Sequence, residues 1–165
     1  MKDVMDLVFD PEGIEWHTVS PRLTKVRLLT WTLTMALPIL AAIIVTAFFP
    51  TWWMFVILAT VLGLYIWIAI IIRRQVPKIG YAEREDDLLI RRGILFRSIV
   101  VVPYGRMQLV DVEAGPLDRK FGIAKVTLHT ASPQTDAVVP GLVPEEAARL
   151  RDRLASRGEA RLAGL

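Results

Sequence analysis

Residues 28–72 read LLTWTLTMALPILAAIIVTAFFPTWWMFVILATVLGLYIWIAIII, and this stretch contains no Asp, Glu, Lys, Arg, His, Asn or Gln. Its 45 residues are about twice the ~20 that one helix needs to cross a bilayer. Pro50 lies near its middle, and proline cannot continue a helix. The stretch therefore predicts a two-helix transmembrane hairpin, with helices at residues 28–49 and 52–72.

Positive charge lies on both sides of this hairpin and is missing from its turn. The basic residues nearest to the helices are Arg22, Lys25, Arg27, Arg73, Arg74 and Lys78. Because cytoplasmic segments of membrane proteins carry an excess of Lys and Arg, we expect a multi-pass protein with both termini in the cytoplasm. Tryptophan rings favour the headgroup level, which predicts interface anchors at Trp31, Trp52, Trp53 and Trp67.

Small residues four apart on the second helix, Ala59 and Gly63, predict a close contact between the two helices of the hairpin. Residues 1–27 form a mostly polar N-terminal cytoplasmic segment. We expect the part before the helix to be flexible, with Trp16 at the membrane interface.

Composition argues against several functional classes. The formal charge of +3, from 20 basic and 17 acidic residues, is too small to indicate a nucleic-acid partner. The missing ionisable residues at membrane depth argue against transport. There is no Cys, and the two histidines, His17 and His129, lack sequence neighbours that would complete a metal site or a catalytic triad. We predict no catalytic residue, metal, cofactor or small-molecule substrate.

Short β-rich runs separated by turns replace the apolar pattern after Lys78, over residues 79–158. Predicted strands lie at residues 79–83, 88–92, 95–103, 107–113, 125–130 and 136–142. Residues 115–122 predict a turn or a single helical turn. A helix follows from Pro144 to about Gly158, with Ala147, Leu150 and Leu154 on one face, and residues 159–165 form a tail. The pattern predicts a partly open barrel of antiparallel strands closed by a C-terminal helix.

Ordered short motifs support a family resemblance. They are WH (residues 16–17), SPRL (20–23), VPYGRMQ (102–108), GPLDRKFG (115–122) and LHTA (128–131). With the two-helix hairpin, they resemble the bacterial YdbS-like membrane proteins, whose cytoplasmic part is a bacterial pleckstrin-homology-like (bPH2) domain. The resemblance implies a bent antiparallel sheet of about seven strands with a capping helix, located at the bacterial inner membrane. It also implies a non-enzymatic scaffold with a membrane-protein partner that carries related domains.

A candidate partner groove beside an exposed sheet edge is predicted from residues within these motifs: Arg106, Gln108, Arg119 and Gly122. Maintenance of the fold is the competing interpretation, because glycines permit turns and a buried Arg or Gln can bind loop carbonyls. A nearby pair of carboxylates on one strand face, Asp111 and Glu113, suggests acid/base chemistry only if further groups join it, and ordinary surface charge is the commoner outcome.

The last helix carries Arg149, Arg153 and Arg157 at intervals of four residues. They are candidates to face anionic lipid headgroups, although Glu145 and Glu146 could instead pair with Arg149. The first hairpin turn, residues 83–87, has four carboxylates against one guanidinium, which argues against phosphoinositide binding.

These patterns lead to two functional hypotheses. The first is a membrane-anchored scaffold that binds a protein partner, or a second copy of itself, at the cytoplasmic face through a sheet edge or groove. The alternative is a sensor of anionic lipids that uses the basic C-terminal helix.

Overall fold

The computed structural model describes residues 14–94, 97–131 and 136–162. They form two compact units. One unit is Thr24–Arg74, and the other combines the described residues up to Leu23 with those from Gln75 onward. Predictions for residues 1–13, 95–96 and 163–165, which include the start of the third predicted strand, fall outside the described residues.

The helical unit contains two long apolar helices, α1 (Arg22–Phe48) and α2 (Trp52–Gln75). Both are long and apolar enough to cross a membrane. The turn between them contains Pro50, as predicted. Helix α1 begins six residues before the apolar run, because the charged turn at residues 22–27 is helical too, and hydropathy does not mark such a start.

Polar side chains make hydrogen bonds between the two helices. Trp31 Nε1 donates a hydrogen bond to the Tyr65 carbonyl at 3.3 Å, and Thr32 shares one with the Tyr65 hydroxyl at 2.9 Å. A Cβ built on Gly63 would have no heavy atom within 4 Å. The prediction that Ala59 and Gly63 lie at the helix contact is therefore wrong for Gly63.

Seven antiparallel strands build the other unit. The first sheet has the order β1 (His17–Thr18), β2 (Gly80–Glu83), β3 (Asp87–Arg92) and β4 (Ser98–Pro103). The second has the order β5 (Met107–Glu113), β6 (Ala124–Thr130) and β7 (Ala137–Leu142). Short 3-10 turns at Val76–Lys78 and Tyr104–Arg106 precede β2 and β5. Helix α3 (Pro116–Phe121) joins β5 to β6, and α4 (Pro144–Leu162) follows β7.

The sheets and the C-terminal helix confirm the predicted fold class, with two differences. Strand β1 comes from the segment expected to be flexible, and Trp16 beside it stacks under the Arg91 guanidinium at 4.5 Å. Helix α4 continues past Gly158 to Leu162, because the Glu, Ala, Arg and Leu that follow are good helix formers.

The core lies between the inner faces of the two sheets and α4. Alternate strand residues such as Leu88, Ile90, Val126 and Leu128 are fully buried in one cluster. The three apolar residues of α4 that were placed on one face, Ala147, Leu150 and Leu154, are fully buried in the same cluster. Complete burial of each leucine contributes roughly 1.5–3 kcal/mol, so apolar packing holds the helix on the sheets.

The segment before α1 is attached to the last strand. The Ser20 N–H donates to the Gly141 carbonyl at 2.8 Å, and Gly141 has a φ of +72°. A Cβ on Gly141 would lie 2.8 Å from the Leu23 Cβ. Glycine is therefore required here both for the backbone conformation and for the close approach of Leu23.

Replacing Gly141 with alanine should lower the melting temperature of the protein in mild detergent by about 4 °C or more. A left-handed backbone costs a non-glycine residue about 1–2 kcal/mol, and the clash with Leu23 adds to this. Gly158→Ala is the matched control, because a Cβ there meets nothing closer than 3.8 Å and alanine favours a helix. Equal melting temperatures of the two variants would contradict this role of Gly141.

Candidate functional site

Two arginines predicted to face lipid lie on the side of α4 that meets the β2–β3 hairpin. Arg149 forms ion pairs with Glu83 at 2.9 Å and with Glu146 at 2.6 Å, and Arg153 reaches the second oxygen of Glu83 at 3.1 Å. The Glu83 side chain is only 6% exposed. The partner that sequence reasoning missed is therefore Glu83, which lies about 65 residues earlier in the chain and is placed by the register of β2.

The third arginine, Arg157, is also directed at the domain. Its Nη1 donates to the carbonyl oxygen of Arg84 and, at 2.9 Å, to the Tyr104 hydroxyl. Its guanidinium lies 5.2 Å from the centre of the Tyr104 ring. We call the contacts of Arg149, Arg153 and Arg157 with the β2–β3 hairpin and Tyr104 the arginine seam. Since these charges are engaged within the domain, lipid binding by this helix stays a prediction.

A tyrosine–carboxylate pair completes the seam. The Tyr81 hydroxyl donates to Glu146 Oε1, and Arg149 contacts both oxygens of Glu146. These hydrogen bonds lower the pKa of Glu146 from its ordinary 4.5 to about 2, and the hydrogen bond from Arg149 has the largest effect. Burial and the neighbouring carboxylate raise the pKa of Tyr81 well above its usual value. Glu146 is therefore ionised, and Tyr81 neutral, across the physiological range.

The acidic first hairpin turn neutralises its own guanidinium. Arg84 makes two hydrogen bonds of 2.6 Å to the carboxylate of Asp87. Glu85 and Asp86 are exposed at the tip. This placement agrees with the argument against phosphoinositide binding at this turn.

The four residues predicted to form a partner groove occupy two places. Arg106 and Gln108 are exposed at the start of β5, whereas Arg119 and Gly122 belong to α3 and its C-terminal cap, beyond the end of β5. With a rise of about 3.3 Å per residue, the length of β5 separates the two pairs by roughly 15 Å or more. Gly122 has a φ of +62°, and its carbonyl accepts a hydrogen bond from Arg22 at 3.4 Å. The structure thus does not bring the four together.

A groove does lie beside Gln108, between β5 and α4. It has a volume of about 250 Å³. Its lining residues are Met107, Gln108, Leu109 and Val110 from β5 and Arg151, Leu154, Ala155 and Gly158 from α4. We call this the β5–α4 groove. The small residues at 155 and 158, three apart on a helix whose apolar face meets the sheet, are the sequence signal that could have indicated it.

The two carboxylates of β5 have separate partners. Asp111 lies 3.5 Å from Nε2 of His129, whose Nδ1 is 2.9 Å from Asp136, and Glu113 pairs with Lys125 at 2.6 Å. The Thr130 N–H, and then His129, lower the pKa of Asp136. Among the described residues, no three His, Asp or Glu side chains are arranged to hold a metal ion. The arrangement is a set of cross-strand pairs on the outer face of the second sheet.

The predicted interface anchors lie on the helical unit. Trp52, Trp53 and Trp67 are exposed, and Trp31 is partly buried through its hydrogen bond to Tyr65. Exposed rings on apolar helices suit contact with lipid. Their role as anchors stays a prediction.

Glu146→Gln should destabilise the domain at pH 7 by about 1–2 kcal/mol, because charged hydrogen bonds to Arg149 and Tyr81 are weakened. The pKa of Glu146 is lowered in the folded state, so its contribution is present above about pH 4.5 and is lost as the pH falls through about 2. Unfolding measured at pH 7, 4 and 2 should therefore show the difference from wild type shrinking with acid. Glu145→Gln, at an exposed neighbouring position, is the control and should match wild type. A constant difference at all three pH values would contradict the seam.

Comparisons with known proteins agree with this architecture. A family model described as a bacterial PH domain matches residues 26–158. The UPF0699 transmembrane protein YdbS of Bacillus subtilis (strain 168) is 34% identical over 124 residues, which cover 73% of this chain and 77% of that protein. No solved structure gives a significant match. The chain belongs to the bacterial PH domain family, as a YdbS-like membrane protein whose two apolar helices accompany a PH-like domain.

Proposed function

We propose that this chain is a non-enzymatic, membrane-anchored scaffold whose PH-like domain holds a protein partner at the cytoplasmic face of the inner membrane. The observation that carries the proposal is the outer edge of β5, which is open and borders the β5–α4 groove. Strand β5 pairs with β6 on one side only. In the described part of the chain, no backbone hydrogen bond links its other side to another segment.

The opposite edge of the second sheet, at β7, is closed by contacts. At the β7 edge, the Gly141 carbonyl accepts from the Ser20 N–H, and the Val138 carbonyl accepts from the Arg92 guanidinium. Beside the β5 edge, by contrast, Leu109 is 54% exposed. An open edge with an exposed apolar side chain attracts other strands, and proteins usually cover or disrupt such edges. A partner at this edge accounts for both features.

The competing hypothesis, a sensor of anionic lipids, has less support from the contacts. It relies on Arg149, Arg153 and Arg157, and each of these is directed at a carboxylate, a carbonyl or a tyrosine of the same domain. Lipid binding would have to compete with the arginine seam. We therefore prefer a protein partner, and the crosslinking experiment below separates the two.

Placement of both termini in the cytoplasm is supported by chain connectivity. Residues before α1 and after α2 belong to the same compact unit, since β1 pairs with β2. A segment whose two ends enter one folded unit crosses a bilayer an even number of times. The basic residues on both sides of the hairpin favour the cytoplasm for that unit.

Single cysteines test this topology cleanly, because the chain has none of its own. In intact cells we expect a membrane-impermeant maleimide to label Thr51→Cys, in the turn of the hairpin. Glu85→Cys, at the exposed tip of the β2–β3 turn, should be labelled only after lysis. The reverse pattern would place the domain outside and contradict the proposal.

Photo-crosslinking in native membranes tests the partner. A benzoylphenylalanine in place of Leu109 should form a discrete adduct with one protein, identified by mass spectrometry. The control is the same substitution at Val143, an exposed apolar residue at the other end of α4. We expect no such adduct there. Equal adducts from both positions, or none from either, would contradict a partner at the groove.

A vesicle-binding assay completes that experiment. If position 109 yields no protein adduct, while the purified protein binds vesicles only when they contain anionic lipid and releases them as salt rises, the sensor hypothesis replaces the scaffold.

A further inference from the structure

The open edge of β5 offers backbone groups to a binding partner. Its pairing with β6 extends from Met107 opposite Thr130 to Glu113 opposite Lys125, with an irregularity between Met107 and Leu109. In an antiparallel ladder, alternate residues direct their N–H and C=O groups to the opposite edge. A strand of seven residues thus presents a row of donors and acceptors that another extended backbone can satisfy, and a ligand without a backbone cannot.

The floor of the β5–α4 groove accepts apolar side chains. Leu154 is fully buried. Because Ala155 and Gly158 have small side chains, α4 leaves space beside β5 at these positions. The volume of about 250 Å³ is below the roughly 300–1,000 Å³ of pockets that enclose a drug-sized molecule. The groove therefore suits a few side chains of an extended segment better than a small-molecule substrate.

Charge at the start of β5 favours an acidic ligand. Arg151 lines the groove, and its described ion pair is with its exposed neighbour Asp152, a type of pair that contributes little. Arg106 is exposed immediately before β5, and no ion pair is described for it. Farther along β5, Asp111 and Glu113 are each paired within the second sheet. Gly158 lies beside Met107 and Tyr104, so Arg151, seven residues earlier and about 10 Å along α4, lies toward the other end of the groove. A guanidinium without a strong acidic partner among the described residues thus lies toward each end.

We infer that the β5–α4 groove binds an extended segment of the partner protein, which adds to β5 as a fourth, antiparallel strand of the second sheet. Every strand pair in both sheets is antiparallel, and this pairing is slightly the more stable kind. Alternate apolar side chains of the segment fill the groove. An acidic residue at its C-terminal end, opposite the start of β5, reaches Arg106. The inference rests on the proposed function and specifies the chemistry of the partner.

A tethered peptide tests the inference without knowledge of the natural partner. The full-length protein carries Leu109→Cys as its single thiol, and a peptide is fused after Leu165 through a flexible Gly/Ser linker. One peptide alternates valine and threonine over six residues and ends in two glutamates. A second ends in two lysines, and a third has the acidic end but a proline at its centre, which removes a backbone donor. The rate of maleimide labelling of the thiol in mild detergent reports occupancy.

The acidic peptide should slow labelling about sixfold relative to the linker alone, as expected for a Kd of ~0.2 mM at an effective concentration of ~1 mM. The lysine and proline peptides should slow it less than about twofold. Equal protection by all three would show nonspecific shielding and overturn the inference. So would the absence of protection by the acidic peptide.

Neighbouring positions on α4 supply a matched pair of control variants. Ala155→Arg places a long side chain in the groove, whereas Ser156→Arg adds the same side chain at an exposed position that does not line it. Both positions are exposed, so both variants should fold, which circular dichroism checks. Labelling should return to the linker-only rate in Ala155→Arg and stay slow in Ser156→Arg. Equal rates in the two variants would show that the peptide lies elsewhere.

The outcomes separate this inference from the proposed function. If no peptide protects the thiol, but position 109 still crosslinks to a protein in native membranes, the partner is not an added strand and the scaffold remains. If the crosslink is missing as well, both proposals are wrong.

Discussion

The pairing of β1 with β2 is the constraint on which the other features depend. It joins His17 and Thr18, before the hairpin, to Tyr81 and Gly80, after it. The apolar helices are therefore an insertion within one domain, and not an anchor attached to its end. The Ser20 to Gly141 hydrogen bond extends this attachment to the second sheet. One short ladder thereby determines that both ends of the membrane segment enter the same folded unit.

Two kinds of interaction position α4, and they have different roles. Burial of Ala147, Leu150 and Leu154 supplies most of the stabilisation, because apolar area is what the core removes from water. The arginine seam fixes the orientation of α4, since ion pairs and charged hydrogen bonds require particular atoms to meet. Together they hold the helix so that Ala155 and Gly158 lie beside β5. The groove is thus a consequence of how α4 is oriented.

Those parts of the fold that have a strong local pattern could be predicted from the sequence. An uninterrupted apolar run specifies the hairpin, and alternation specifies β6, where Val126 and Leu128 face inward. Strand β1 has only two residues, too few for any periodicity, and it is a strand because of a partner about 60 residues away. The same reason explains Glu83, whose meeting with Arg149 depends on tertiary contacts alone. The predicted groove residues were grouped by motif, although β5 separates them in space.

Insertion of the hairpin between β1 and β2 has a consequence for biosynthesis. Strand β1 leaves the ribosome about 60 residues before its partner, several seconds earlier at the usual rate of roughly 5–20 residues per second. During this interval the two apolar helices emerge, and on the proposed topology they enter the bilayer. The first sheet can close only if both ends of the inserted segment return to the same side. On the proposed topology with two crossings, completion of the domain acts as a check on insertion, because a chain inserted with only one crossing keeps β1 and β2 on opposite sides of the membrane.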